Sequence, residues 1–378
     1  MSLVLDGHRE FLSDGARIRA FQAALDETVA PGHTVLDLGC GTGILGLLAC
    51  RAGARHVYSI DEGAIVQVAR EIARANGFDG RMTYLQGLST RIDLPEPVDI
   101  AVADQIGRFG FEAGVVEFFA DARRRLLKPG GVTIPWAIDL CIAPIEAEDM
   151  WNRVMSWNHD VAGFDVSAGL PIALNTGYPA TLTPNQLLAA DTRLTTIDLR
   201  TGAEQRVGGE VACTIDRAGA LHGIGGWFHA RLSRTVTMTN SPFAADRINR
   251  RQVYFPIGRP IAVTQGDCVR VTMSIIPSEA LVTWRVEIRS ASGTIDRFAH
   301  STWQGMLVSA EELGKTRPDA RPRLTSWGAA RQSVLELCDG QHEVAEIERE
   351  MQRRHGDLFP SPGDAARFVA EVLFPYAL

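Results

Sequence analysis

Residues 35–44 read Val-Leu-Asp-Leu-Gly-Cys-Gly-Thr-Gly-Ile, an apolar strand that runs through an acid into a Gly-x-Gly-x-Gly turn and on into a helix. Such a turn lets the backbone pass close beneath a ligand where a Cβ would collide. Its surroundings narrow the fold further. Strands are predicted over 34–38, 56–60, 82–86, 98–103 and 131–134, with amphipathic helices such as 65–76 and 112–127 between them. That alternation builds a Rossmann-like α/β domain, a mostly parallel sheet with helices on both faces.

A glycine-rich turn alone could equally hold a dinucleotide. Two features decide against one: the spacing lacks the Gly-x-Gly-x-x-Gly interval, and Asp37 would repel a pyrophosphate. An acid there suits a ligand with positive charge, such as the amino group or sulfonium of S-adenosylmethionine. Asp61 ends the second strand, where a carboxylate can accept both hydroxyls of a ribose. The cofactor site is therefore expected to include Asp37, Gly39, Gly41, Gly43 and Asp61.

Composition excludes several classes. With 46% hydrophobic and 22% charged residues the chain is an ordinary globular one, neither disordered nor fibrous. A net charge of −7 offers no basic field for nucleic acid or an anionic membrane. Lys128 and Lys315 are the only lysines, a skew toward arginine that suits a GC-rich bacterial genome. Six scattered cysteines, without a CxxC pair or a histidine cluster, argue against a zinc site or a disulfide framework. The amino terminus does not read as a signal peptide, and the longest apolar runs, such as 44–50, are too short to span a bilayer. A cytoplasmic location is expected.

Three domains are expected: a cofactor domain over 1–143, a substrate domain over 144–316, and a small module over 317–378. From about 202 to 297 the period shortens to alternating strands at 210–215, 225–232, 252–255, 268–275 and 281–288, which reads as an antiparallel sheet or β-barrel. The weakly periodic stretch 164–191 suits an extended arm. It carries Phe164, Leu170, Ile172, Leu174 and Leu182 with no evident core to bury them, and is expected to pair two copies in a homodimer.

The residues 37–43, Asp61 and the run Leu127-Lys128-Pro129-Gly130-Gly131 resemble class I S-adenosylmethionine-dependent methyltransferases. Residues 35–45, 52–57 and 75–82 sharpen the resemblance to the protein arginine methyltransferases, as do 161–167, 183–188 and Asp198 farther on. The match runs over about 8–290, including a barrel over 233–267. It implies that His8 and Arg17 lie over the cofactor, with Arg17 pairing its carboxylate. Adenine would meet Ser89, where the backbone contact of the family is retained and its acid is not. The product would be S-adenosylhomocysteine.

The departures bear on the acceptor. In the family the fourth-strand loop carries two glutamates in a Ser-Glu-Trp-Met-Gly…Glu pattern that clamps a guanidinium. Here residues 103–112 read Ala-Asp-Gln-Ile-Gly-Arg-Phe-Gly-Phe-Glu, so the first acid is the shorter Asp104 and Glu112 lies one position early. Arg108 also enters the loop, and the family's Thr-His-Trp signature falls on Ile248-Asn249-Arg250. A guanidinium needs two well-placed carboxylates. Asp104 and Glu112 are the expected catalytic residues, while Gln105, His159 and His300 are polar candidates nearby. The expected activity is methyl transfer to a nucleophilic side chain of a peptide or protein. Arginine methylation with a divergent loop, or a non-catalytic cofactor- and peptide-binding module, are the alternatives.

The tail carries amphipathic helices around a Leu-Cys-Asp-Gly turn at 337–340, which suggests a three-helix or winged-helix module. It resembles the peptide-binding domain of the pyrroloquinoline quinone precursor chaperone. That resemblance implies recognition of the leader of a ribosomally made natural-product precursor by strand addition.

Overall fold

The computed structural model describes residues 4–201, 206–291, 293–307, 310–315 and 317–376. It divides into two compact units, 1–306 and 307–378. Residues 202 and 316, expected as limits of the antiparallel region and of the substrate domain, lie outside the described residues.

The first unit opens with helices α1 (Val4–Ser13) and α2 (Gly15–Thr28). The α/β layer follows as β1 (Thr34–Leu38), α3 (Ile44–Arg51), β2 (His56–Asp61), α4 (Ile65–Ala75), β3 (Met82–Gln86), β4 (Val98–Ala103), α5 (Val115–Arg125) and β5 (Leu127–Ile134). These strands form a parallel sheet in the order β3-β2-β1-β4-β5. Strand β1 is buried at every position, as a sheet covered on both faces requires. Leu38 pairs with Ile60 on one side and Ala103 on the other, so the next residues, Gly39, Asp61 and Asp104, emerge along one rim. Ligands of open α/β sheets bind at that carboxyl-terminal rim.

Next come β6 (Ala137–Ile145), α6 (Glu148–Met155), β7 (Asp160–Val161), β8 (Phe164–Asp165), α7 (Leu170–Leu174), β9 (Tyr178–Ala180) and β10 (Thr192–Asp198). The remaining strands are β11 (Val207–Thr214), β12 (Gly219–Arg231), β13 (Thr237–Thr239), β14 (Gln252–Val263), β15 (Cys268–Ile276), β16 (Leu281–Arg289) and β17 (Ile295–Ser301). They make two antiparallel sheets, β10-β6-β12-β14-β9 with β13 beside β12, and β11-β15-β16-β17. Side chains of both, among them Leu140, Ile224, Phe255, Val271 and Trp284, share one apolar cluster with the parallel sheet. Trp284 fixes one sheet to the other by donating its indole N–H to the Pro256 carbonyl at 2.9 Å.

The antiparallel region starts earlier than its periodicity suggested. Strands β6, β9 and β10 precede residue 202 yet lie in the first of these sheets, beside β12 and β14. The expected arm also differs. Leu182 is fully buried and Leu174 packs against the cluster on the outer face of that sheet, so part of 164–191 has a core after all. Exposed apolar side chains gather instead at Trp157, Val161 and Phe164.

The second unit holds α8 (Ala310–Lys315), α9 (Ser326–Glu336), α10 (Val344–Arg354) and α11 (Pro362–Tyr376). Ala330, Val334, Ile347, Met351, Phe359, Phe368 and Val372 form its own core. No strand follows β17 among the described residues, so these helices carry no wing there. No helix is long and apolar enough to cross a membrane among the described residues.

Met351 is fully buried in that core. Met351→Ala is expected to destabilise the second unit by about 2–5 kcal/mol through the cavity it leaves. Urea titration followed by hydrogen exchange should show the loss confined to 307–378, and an equal loss in the parallel sheet would refute a separate core.

Candidate active site

Two glycines shape the turn after β1. Gly39 and Gly41 have φ of +63° and +54°, a left-handed backbone that favours glycine. A Cβ on Gly39 would stand 1.9 Å from the Gln105 amide nitrogen, and one on Gly41 would stand 2.9 Å from the His8 ring. Gly43, at φ +76°, sits at the start of α3. Side chains thus close over the turn from α1 and from the loop after β4. Asp61 braces it from the end of β2: its carboxylate accepts from Gly41 N and Gly63 N, both at 2.8 Å. Ser89 is buried at the start of a short turn after β3, and its carbonyl accepts from Arg125 Nη2 at 2.8 Å.

Asp37 departs from its expected position in the turn. It is fully buried in β1, with Oδ2 accepting from Gly46 N at 2.9 Å beneath α3 and Oδ1 without a hydrogen-bond partner. Burial pushes its carboxyl up to about 7. The alternation of β1 decides this: residue 37 points across the sheet toward the helix.

The buried carboxylate at the rim is Asp104. Arg17 donates its Nε–H to Oδ2, and Arg250 approaches as a fork, Nη2 to Oδ2 at 2.8 Å and Nη1 to Oδ1 at 3.1 Å. Side-chain exposure is 6% for Asp104, 6% for Arg17 and 12% for Arg250. Burial pushes the Asp104 carboxyl up, but Arg250 and Arg17 outweigh it and hold it below the usual carboxylate range. The Phe11 ring lies 5.3 Å from the Arg17 guanidinium and 5.5 Å from that of Arg250.

Three further groups fix this arrangement. Asp14 caps α2 by accepting from Arg17 N at 3.1 Å, and its other oxygen accepts from Asn249 N at 2.7 Å. At the opposite end of α2, Glu27 accepts from the hydroxyls of Ser233 and Thr235 at 2.7 and 2.6 Å. Buried Asn240 donates to the carbonyls of Arg108 and Arg251 at 2.8 and 3.1 Å, tying the loop after β4 to the segment before β14. Phe109 and Phe111 anchor that loop, with Phe109 packed 5.5 Å from Phe255.

Glu112 turns away from Asp104 into its own loop. Its carboxylate accepts from Phe109 N at 2.9 and 3.0 Å and from Phe111 N at 3.3 Å. For that reason α5 begins at Val115, after Gly114, and not at 112. Arg108 is exposed and His159 lies on the exposed stretch before β7. His300 stacks on Trp284 at 5.3 Å within the second antiparallel sheet. Neither histidine joins the rim. Sequence reasoning missed Asp14 and Asn240 and marked Arg250 only as a departure from a signature.

The left-handed turn, the braced Asp61 and the guanidinium of Arg17 fit a compact adenosyl amino acid carrying a carboxylate. Comparisons with known proteins agree. The family model of ribosomal protein L11 methyltransferase matches residues 21–137, and that of the arginine methyltransferase oligomerization subdomain matches 137–288. Protein arginine N-methyltransferase 6 of Xenopus laevis is 29% identical over 286 residues, 72% of this chain and 84% of that protein. Protein arginine N-methyltransferase 1 of Dictyostelium discoideum is 34% identical over 197 residues, 51% of this chain and 58% of that one. The chain is an S-adenosylmethionine-dependent methyltransferase.

Solved structures agree on the fold of this methyltransferase. A Trypanosoma brucei PRMT1 enzyme–prozyme heterotetrameric complex with AdoHcy superposes with a TM-score of 0.69 at 23% identity, covering 78% of this chain and 97% of that one. Protein arginine methyltransferase 10 of Arabidopsis thaliana gives 0.68 at 23% identity, with the same coverage.

Asp37 gives the methyltransferase a pH signature. Its carboxyl is raised above the ordinary 3.8, so the protonated form favours the fold. That stabilisation is complete below about pH 4 and is lost as pH rises to about 7. Asp37→Asn is expected to flatten this part of the stability–pH curve relative to the parent. Denaturant midpoints at pH 4 and 8 check it, and parallel curves would refute it.

Proposed function

We propose that the methyltransferase acts on a nucleophilic side chain of a peptide or protein, with Asp104 receiving the acceptor. The observation that carries this reading is the link from the cofactor turn to Asp104. Arg17 lies in the first turn of the helix beside the turn and donates to a carboxylate at the same sheet rim. Arg17 would hold the cofactor carboxylate, Asp61 its ribose hydroxyls, and Ser89 its adenine through the backbone. His8 would lie over it, and Gly39, Gly41 and Gly43 would leave room for it; buried Asp37 would support the turn from below through Gly46 N. S-adenosylmethionine supplies a methyl group on a sulfonium and leaves as S-adenosylhomocysteine.

The chain's own contribution is alignment. A displacement at carbon needs the nucleophile, methyl and leaving sulfur in line, and a fixed carboxylate can orient an N–H or O–H or take its proton. Glu112 stays in this reading as a support of the loop that carries Asp104. A narrower reading, arginine N-methylation, is favoured by the names of the relatives. For it to operate, Arg250 must yield its place on Asp104, because a carboxylate accepts one bidentate fork at a time.

Two partner assignments extend the proposal. Trp157, Val161 and Phe164 form an exposed apolar tip suited to a second copy in a homodimer. The heterotetrameric assembly of the trypanosomal neighbour supports an oligomer. The second unit is assigned to recognition of a substrate peptide such as a natural-product precursor, because it resembles a leader-binding domain.

The test is incubation with S-adenosylmethionine and peptides that offer arginine, histidine or carboxylate acceptors, read by mass spectrometry with fragmentation. A methyl increment on a side chain supports the reading, and S-adenosylhomocysteine binding with no increment on any peptide counts against it. Asp104→Asn should bind S-adenosylhomocysteine and lose most turnover. Because it leaves two buried guanidiniums unpaired, it should also lower stability by on the order of 3–5 kcal/mol. Asp61→Ala should weaken S-adenosylhomocysteine binding by about 1–3 kcal/mol, measured by calorimetry.

A further inference from the structure

Around Asp104 the protein has built a recognition site for a guanidinium and filled it with its own. The fork of Arg250 meets both carboxylate oxygens, at 2.8 and 3.1 Å, and Nη1 also faces the Gly107 carbonyl at 3.3 Å. Phe11 and Phe228 present their rings at 5.5 and 6.0 Å from the guanidinium carbon. A planar cation with two parallel N–H donors is what such a set selects; an ammonium matches the charge but not the fork. Nothing in these contacts depends on the guanidinium belonging to the chain.

The supply of this guanidinium is separable from the site. Arg250 lies outside regular structure, in the segment between β13 and β14, with its N–H turned back to the Ile248 carbonyl at 2.8 Å. It forms one wall of an open cleft of about 310 Å³ that Ser13, Asp14, Thr181 and Arg247 also line. Removing the side chain beyond Cβ therefore frees both oxygens of Asp104 from the fork, next to the cleft that residue 250 lines.

We propose that Arg250 is an internal occupant of a guanidinium-binding subsite at Asp104, in direct competition with the guanidinium of any other molecule, and so a residue that determines which acceptor the enzyme takes. The proposal deepens the reading of Asp104 as the acceptor site but is tested by binding, so it stands or falls separately from methyl transfer. An acceptor without a guanidinium meets no such competition. An arginine acceptor enters only as Arg250 withdraws.

The test uses the full chain and methylguanidine, titrated calorimetrically at constant ionic strength. Arg250→Ala is expected to bind it about ten- to a hundred-fold more tightly than the parent, the range that regained charge-assisted hydrogen bonds give. Adding Asp104→Asn to that variant should abolish the gain. In thermal melts, millimolar methylguanidine should raise the Tm of Arg250→Ala while methylammonium does not. Equal affinity of parent and variant, or equal rescue by methylammonium, overturns the proposal. Should Arg250→Ala fail to fold alone, refolding it in millimolar methylguanidine is expected to restore the native fold while methylammonium does not, and failure of methylguanidine to do so overturns the proposal.

Discussion

One carboxylate between two guanidiniums holds the carboxyl-terminal rim of the parallel sheet to the segments around it. Asp104 comes from the rim of the parallel sheet, Arg17 from α2, and Arg250 from the segment entering β14. All three side chains are almost dry, so the desolvation of each guanidinium is offset only while Asp104 stays in place. The energetic consequence is asymmetric: removing Asp104 leaves two buried guanidiniums without their carboxylate, whereas removing either arginine leaves the other still paired. Precision at the rim therefore comes from a charge arrangement that tolerates no slack, with the apolar packing of Phe109 and Phe111 setting the loop on which Asp104 sits.

The surrounding charge follows the same economy. Glu112 is spent on the N–H groups of its own loop and Asp37 is buried under α3, so of the acids read as candidates in this part of the chain Asp104 alone meets cations directly. Asp14 and Glu112 reach Arg250 only through space, so Asp104 carries the direct contacts to both guanidiniums.

The parallel sheet was legible because its signals are local. Strand β1 with its glycine turn, and the end of β2 at Asp61, sit where period and turn chemistry put them, and pairing of Leu38 with Ile60 and Ala103 follows from the sheet. The antiparallel sheets were legible in type and not in extent, since β6, β9 and β10 owe their pairing to partners far along the chain. Arg250 meets Asp104 across 146 positions, and Asp14 meets Asn249 across 235. No local pattern encodes either contact. For Glu112 and Asp37 spacing shows that an acid is present, while the direction of its carboxylate is set by neighbouring N–H groups, Phe109 N for one and Gly46 N for the other.

Asp14 gives this geometry a thermodynamic reach. With one oxygen on the first turn of α2 and the other on the backbone of residue 249, it joins the helix that carries Arg17 to the segment that carries Arg250. Glu27 repeats the tie at the far end of the same helix. Order on one side is therefore conditional on order on the other. Any ligand that stabilises α2 shifts the balance of the 249–250 segment, and by linkage a molecule that captures that segment alters the affinity at α2 by the same factor. The helix that carries Arg17 and the segment that carries Arg250 are coupled here through one carboxylate that touches neither guanidinium.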